Sequence, residues 1–482
     1  MTLSTASLTG VAFLLSLISS ISAELTNGQG EMAGEATATS VILQSRLTDG
    51  DKMIDGDLPG REGVGYFEIA ANESFQDSQT TEHQIARADE DFIIKIKVSD
   101  LKPGTDYYYR LVFGAPDAEP STKGPTRRFR TLDPQSVEPV SFVVVTGMNY
   151  AFFHDHPYNP ELTYTGPDKH LGYPALEAIL KRKPDYFIGT GDNVYYDHPA
   201  KPAAKTEAEL RRKWHEQFAQ PRFVKLFSEV ATYWEKDDHD HRKNDCDTTG
   251  DYAPSNELGI ALFREQMPVV DPADAAAPTY RTHRLNRHSQ IWLLEGRDFR
   301  SPNAMPDGPE KSLWGAEQLA WLKQSLLESD ATWKLIITPT PMIGPDDASK
   351  KDNHTNPAGF KYEGDAFKSW LIQQGTLADH TLLICGDRHW QYHSIDANGI
   401  EEFSCGALVD ANSRAGRLPG DKNSTDPKKT ISQPWVQATK SQASGGFLEV
   451  TIREAADDRV PEAWFEFFDE HGQLLYRKIK RP

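Results

Sequence analysis

The stretch Asp185-Tyr186-Phe187-Ile188-Gly189-Thr190-Gly191-Asp192-Asn193-Val194-Tyr195 is a short apolar run that breaks at glycines and then delivers an acid, an amide and a phenol. Working outward, the same grammar recurs. Residues 141–145 end in Thr146-Gly147-Met148-Asn149-Tyr150, and residues 230–234 lead to Asp237-Asp238-His239-Asp240. Residues 290–294 end in Glu295-Gly296-Arg297-Asp298-Phe299-Arg300, and Thr381–Cys385 in Gly386-Asp387-Arg388-His389-Trp390. Between these runs, residues 173–182, 206–218, 223–229 and 316–327 carry helical spacing, clearest in the stripe Leu319, Leu322 and Leu326. Apolar strands alternating with amphipathic helices predict an α/β domain over residues 139–482, its sheet covered by helices. In such folds ligands bind beyond the carboxyl ends of the strands, where these polar clusters fall.

Residues 34–132 read differently. Short alternating segments, a turn at Leu101-Lys102-Pro103-Gly104-Thr105 and the aromatic run at 107–113 predict a small all-β sandwich. Residues 24–36 read as a polar linker, and residues 1–23 as a signal peptide with an apolar core at 11–21 and small residues Ser22-Ala23 before Glu24. The expected location is therefore periplasmic or extracellular, without a transmembrane anchor. Segments 342–359 and 410–441 show neither period and read as long functional loops. Cys246, Cys385 and Cys405 are too few for a disulfide framework. Cys385 reads as a core thiol, and Cys246, in a polar loop, as an inert thiol in preference to a reactive one.

The chain has 482 residues, 38% of them hydrophobic, and a formal net charge of −19. This composition supports a large core and excludes disordered, collagen-like and coiled-coil classes. It also lacks the basic clusters of a nucleic-acid groove. A phosphate substrate would need a positive field supplied locally, by metal ions or a few arginines.

Carboxylate, imidazole, amide and phenolate donors suit hard and borderline metals such as iron, zinc, manganese and calcium. Glycines before Asp192 and Asp387 let the backbone turn sharply. Asp192 is the candidate to bridge two ions, with Tyr195, Asp238, Asp387 and His389 as further candidate ligands. His239 is the candidate catalytic acid, and Arg300 and Arg388 are candidates to clamp phosphate. His154 and His156 stay ambiguous, and His241, His393 and Asp245 are not counted as ligands.

These motifs resemble those of PhoD-like alkaline phosphatases, calcineurin-like metallophosphoesterases akin to purple acid phosphatases. The resemblance rests on Gly191-Asp192-Asn193-Val194-Tyr195, Asp237-Asp238-His239-Asp240 with Asn244-Asp245, Gly386-Asp387-Arg388-His389, and the β pattern from Gly34. It implies a metallophosphoesterase αββα sandwich behind a fibronectin-like domain, and a binuclear or larger centre of Fe(III) with Ca(II), zinc and manganese being the alternatives. It further implies an exported, monomeric phosphatase that hydrolyses small or polymeric phosphate esters with a metal-activated hydroxide. Two departures stand out: Met148 occupies the place of the family's iron-binding cysteine, which leaves Asn149 or a nearby histidine as the candidate to complete the shell, and Glu295 stands where Asp is usual. Two other readings are a phosphodiesterase acting on phospholipid, teichoic-acid-like or nucleotide substrates, and a non-catalytic exported binding module.

Overall fold

The structure, a computed structural model, describes residues 24–437 and 445–482. The signal peptide read over 1–23 lies outside the described residues. Among those described, no helix is long and apolar enough to cross a membrane.

Two large sheets lie face to face. The first has nine strands, with Val140–Val145, Tyr186–Thr190 and Ala231–Glu235 parallel at its centre. The second has seven, with Ser289–Leu293, Trp333–Thr338, Thr381–Cys385 and Glu401–Cys405 parallel. Alternation along each strand splits its side chains between two cores. Phe142 and Val144 join Leu335, Ile337 and Phe403 in the core between the sheets. Val143 and Val145 instead join Leu176, Ile179 and Trp214 beneath the helices of the first sheet. On the second sheet Trp292, Ile336 and Leu383 pack against Leu322, Leu326 and Phe367 of the helices Ala316–Glu328 and Lys361–Gln373. The layers are therefore helix, sheet, sheet, helix, and near-continuous apolar strands follow from burial on both faces.

The N-terminal β region is joined to this body. Glu31–Gly34, Val41–Arg46 and Ile93–Val98 extend the nine-stranded sheet through a parallel contact of Gly34 with Thr232. A separate six-stranded sheet is built on Gly63–Ala70 and Asp106–Gly114. The linker expected over 24–36 is corrected: Leu25–Thr26 pairs with Thr48–Asp49, and Glu31–Gly34 is a strand. Glycine is required at Gly34, where a Cβ would meet Pro268 Cγ at 2.4 Å. The loop expected over 410–441 likewise contains the strand Ser432–Val436, paired with Gln391–Ile395.

Candidate metal centre

The strand ends of both sheets meet at one edge. Met148 N–H donates to Asp192 O (3.0 Å), Gly191 N–H to Glu235 O (3.1 Å) and Gly386 N–H to Thr338 O (3.2 Å). The two Gly-Asp pairs share one device: Asp192 (φ 54°) and Asp387 (φ 53°) both adopt the left-handed conformation that L side chains disfavour. The preceding glycines permit close packing, since a Cβ on Gly191 would lie 2.5 Å from Asp237 Cβ, and one on Gly386 2.5 Å from Thr190 O.

Asp192 is fully buried. Its Oδ2 accepts from the Tyr195 hydroxyl (2.8 Å) and lies 3.2 Å from His389 Nε2, whereas its Oδ1 has no partner. Asp192, Asp238 and His239 each place a ligand atom within 4.8 Å of the others, and so do Asp238, Asp245 and Asp352. The residue common to both groups is Asp238, where the sequence reading put the bridge on Asp192. Asp352 is 1% exposed and neither of its carboxylate oxygens has a hydrogen-bond partner. Lys350 is the nearby cation, 2.6 Å from Asp245 Oδ1 and 3.9 Å from Asp352 Oδ2. Buried carboxylates with orphaned oxygens are costly unless a cation meets them, so this donor set fits hard or borderline metal ions.

The charges are arranged unequally. Burial, with Asp387 nearby, pushes the Asp192 carboxyl above its usual range, and burial does the same to Asp238. At Asp387 burial is outweighed by Arg388 and Lys350, which hold the carboxyl low. His239 goes the other way. Burial opposes its charge, but Asp197, Asp238 and Asp192 hold the imidazolium protonated well above the usual range. Its Nδ1 lies 2.7 Å from Asp197 Oδ1, so Nε2 is the ring atom left for chemistry. His389 is kept neutral, as a ligand must be, by burial and then by the charge of Arg414. Burial and Asp192 raise the Tyr195 phenol, so only a strong cation would make it phenolate.

Two expectations change here, for Asn149 and for the candidate phosphate-clamping arginines. Asn149 Oδ1 caps the helix Tyr150–Asp155 by accepting from Phe152 N–H (3.1 Å), and its Nδ2 lies 2.8 Å from His198 Nδ1. Its amide oxygen is therefore already engaged, which argues against Asn149 as a ligand. Met148 is wholly buried in the apolar cluster with Val145, Phe153 and Tyr173, so its side chain serves as core packing. Arg300 and Arg388 are buried and committed, Arg300 to Gly296 O (2.7 Å) and Arg388 to Asp346 (2.5 Å) and Asp387, each with one guanidinium nitrogen unpaired. That burial removes both from the open wall of the site.

Glu295 belongs to the support layer, held by Lys236 (2.7 Å) and Thr279 (2.7 Å). Cys246 is buried, and burial pushes its thiol up to about 12, which excludes the reactive thiol. His154, His241 and His393 are engaged with Gln220, Asn256 and Glu401, outside the carboxylate groups.

Sequence reasoning missed Asp352, Asp197 and Asn412, and left out Asp245. Asn412 Nδ2 donates to the Tyr195 hydroxyl (2.8 Å). Only Asp245, in the Asn-Asp pair after the Asp-Asp-His motif, carried a signal. A cavity of about 400 Å³ lined by Asn244, Asp245, Asn303 and Lys351 opens beside the second carboxylate group.

Comparison with known proteins agrees with this architecture. Alkaline phosphatase D of Bacillus subtilis (strain 168) is 24% identical over 343 residues, 64% of this chain and 54% of that protein. The chain thus spans about half the length of the curated relative it matches. A solved structure of PhoD superposes with a TM-score of 0.69 at 16% identity, over 94% of this chain and 89% of that one. Purple acid phosphatase PPD1 from seeds of yellow lupin (Lupinus luteus) gives 0.58 at 12% identity, over 93% and 73%. Both show the metallophosphoesterase fold. Residues 19–133 match the family described as PhoD-like phosphatase, N-terminal domain, and residues 142–458 match PhoD-like phosphatase, so the chain belongs to the PhoD-like phosphatase family.

Proposed function

We propose that this protein is an exported, metal-dependent hydrolase of phosphate esters. The observation that carries this reading is the set of buried carboxylate oxygens without hydrogen-bond partners, Asp192 Oδ1 and both oxygens of Asp352, in the two groups that share Asp238. Asp192, Tyr195 and His389 suit Fe(III), and the all-carboxylate group Asp238, Asp245 and Asp352 suits Ca(II) or Mn(II). When bound, such ions supply Lewis acidity toward phosphoryl oxygens and lower the pKa of water to make a nucleophile at moderate pH.

The chain's own residues do the rest. Asp197 fixes His239 through Nδ1, and the protonated Nε2 delivers a proton to the departing alkoxide. Asn412 Nδ2 donates to the Tyr195 oxygen and so orients it in the centre. Arg297, buried against Asp237 (2.6 Å), anchors the loop that carries Asp238 and His239. Residues 1–23 supply the export part of the reading.

The test is hydrolysis of aryl phosphate by purified protein, alongside elemental analysis of its metal content. Bound metal with turnover is expected. Protein that binds iron, calcium, manganese or zinc without hydrolysing mono- or diaryl phosphates would instead support the binding-module reading.

A further inference from the structure

The arginines around the centre differ in what holds them. Arg297, Arg300 and Arg388 are 0–3% exposed and bonded within the protein, and Arg417 pairs with Asp347. Arg414 is solvent-exposed, and its guanidinium makes no hydrogen bond or ion pair among the described residues. Yet it is fixed beside the site. Its backbone N–H donates to His389 O (2.9 Å), and its guanidinium carbon lies over the Trp390 ring, 5.4 Å from the centroid. Two residues before it, Asn412 grips the Tyr195 hydroxyl. Its charge reaches the centre, since Arg414 is, after burial, the foremost influence depressing His389. Crowding by protein, then Arg388, disfavours its own charge, while Asp387, Asp346 and Tyr195 favour it.

We propose that Arg414 is the substrate-binding arginine of this centre, gripping the terminal oxygens of the phosphoryl group and selecting monoesters over diesters. The inference rests on the hydrolase reading. A monoester presents three terminal oxygens and two negative charges, whereas a diester presents two oxygens and one charge. The extra anionic oxygen is the feature that a free guanidinium fork can recognise, and a planar fork binds it better than an ammonium. The cation over Trp390 is held in orientation, so little side-chain freedom is lost on binding.

The experiment compares wild type, Arg414→Ala and Arg414→Lys, each loaded with metal. It measures kcat and KM for p-nitrophenyl phosphate and bis-p-nitrophenyl phosphate, metal content, and the affinity for inorganic phosphate by calorimetry. Arg414→Ala is expected to weaken phosphate binding and monoester kcat/KM by about 10- to 100-fold. The diester should lose less than about threefold, metal content should be unchanged, and Arg414→Lys should recover only part of the loss. Unchanged phosphate affinity with normal turnover would overturn the clamp alone. Loss of metal in Arg414→Ala would also overturn it, since the residue would then act through His389. A wild type that binds phosphate through Arg414 but hydrolyses neither ester would sink the hydrolase reading and leave the clamp standing.

Discussion

Two buried ionic clusters in this molecule use similar residues toward opposite ends. Where the N-terminal β region meets the α/β body, Asp91 is fully satisfied. Arg46 lies 3.0 Å from its Oδ1, while His215 Nε2 and Gln266 Nε2 each lie 2.7 Å from its Oδ2. His215 completes the chain to Asp57 (2.7 Å). Nearby, half-buried Lys95 donates to three carbonyls at the end of the helix Asn256–Gln266, between 2.7 and 2.8 Å. In the centre, by contrast, Asp192 Oδ1 and both Asp352 oxygens have no hydrogen-bond partner, Asp352 having only the Lys350 ammonium at 3.9 Å. A satisfied buried cluster holds structure together; an orphaned one is costly until a cation arrives. Burial and charge alone do not separate a clasp from a metal site, whereas the hydrogen-bond count does.

The largest expected break in this contrast is Asp192→Asn. Hydrolysis should fall by about 10³-fold or more, while the metal-free protein melts no lower than wild type, because a repelled carboxylate has been removed. Equal activity would refute the site. Asp91→Ala should do the reverse. Stranding Arg46 and His215 should cost about 3–5 kcal/mol of stability, read as a lower denaturant midpoint, with kcat per folded molecule unchanged.

Asp352→Asn sharpens the division inside the centre. It should remove one ion per chain, retain the other, and lower kcat/KM by about 10- to 100-fold. Loss of both ions, or of neither, would show that the two groups are not separate sites. Tyr195→Phe should lower activity by about tenfold and abolish visible phenolate-to-iron absorption. If the wild type holds iron but shows no such band, Tyr195 is not a ligand.

The smallest effects lie in pH. Burial, opposed and outweighed by His215 and Arg46, leaves Asp91 lowered to about 2, so it adds stability above the unfolded aspartate value of about 3.9 that is lost as pH falls through 2. Burial and Asp352 raise Asp245 to about 6. Folding then retains a proton that the unfolded chain has released, so Asp245 costs stability as pH rises through 6. Metal-free Asp245→Asn should therefore gain more over wild type at pH 7.5 than at pH 5, whereas the deficit of Asp91→Asn should shrink near pH 2. The opposite trends in thermal melts would reverse the assignment of cost and support.

Much of this was legible in sequence because it is local. Strand runs and the helix Ala316–Glu328 follow from periodicity, and the helix Glu207–Phe218 also carries the Thr206/Glu209 capping box. Asp192, Asp238 and Asp387 follow from their places at strand ends. The hydrophobic pattern cannot carry Asp352, which sits in a loop without period, or Asp197, whose role exists only because His239 lies 2.7 Å away across 42 residues. Nor does it show that Asn149 is spent on a helix cap and Met148 on the core. By itself, then, the sequence determined the alternation of strands and helices and which acids end the strands, since these depend on neighbours within a few residues. The tertiary structure alone decided which charges are paired, which arginine stays free and where carboxylate oxygens lack partners. Those properties depend on groups hundreds of residues apart that meet only when two sheets close on one edge.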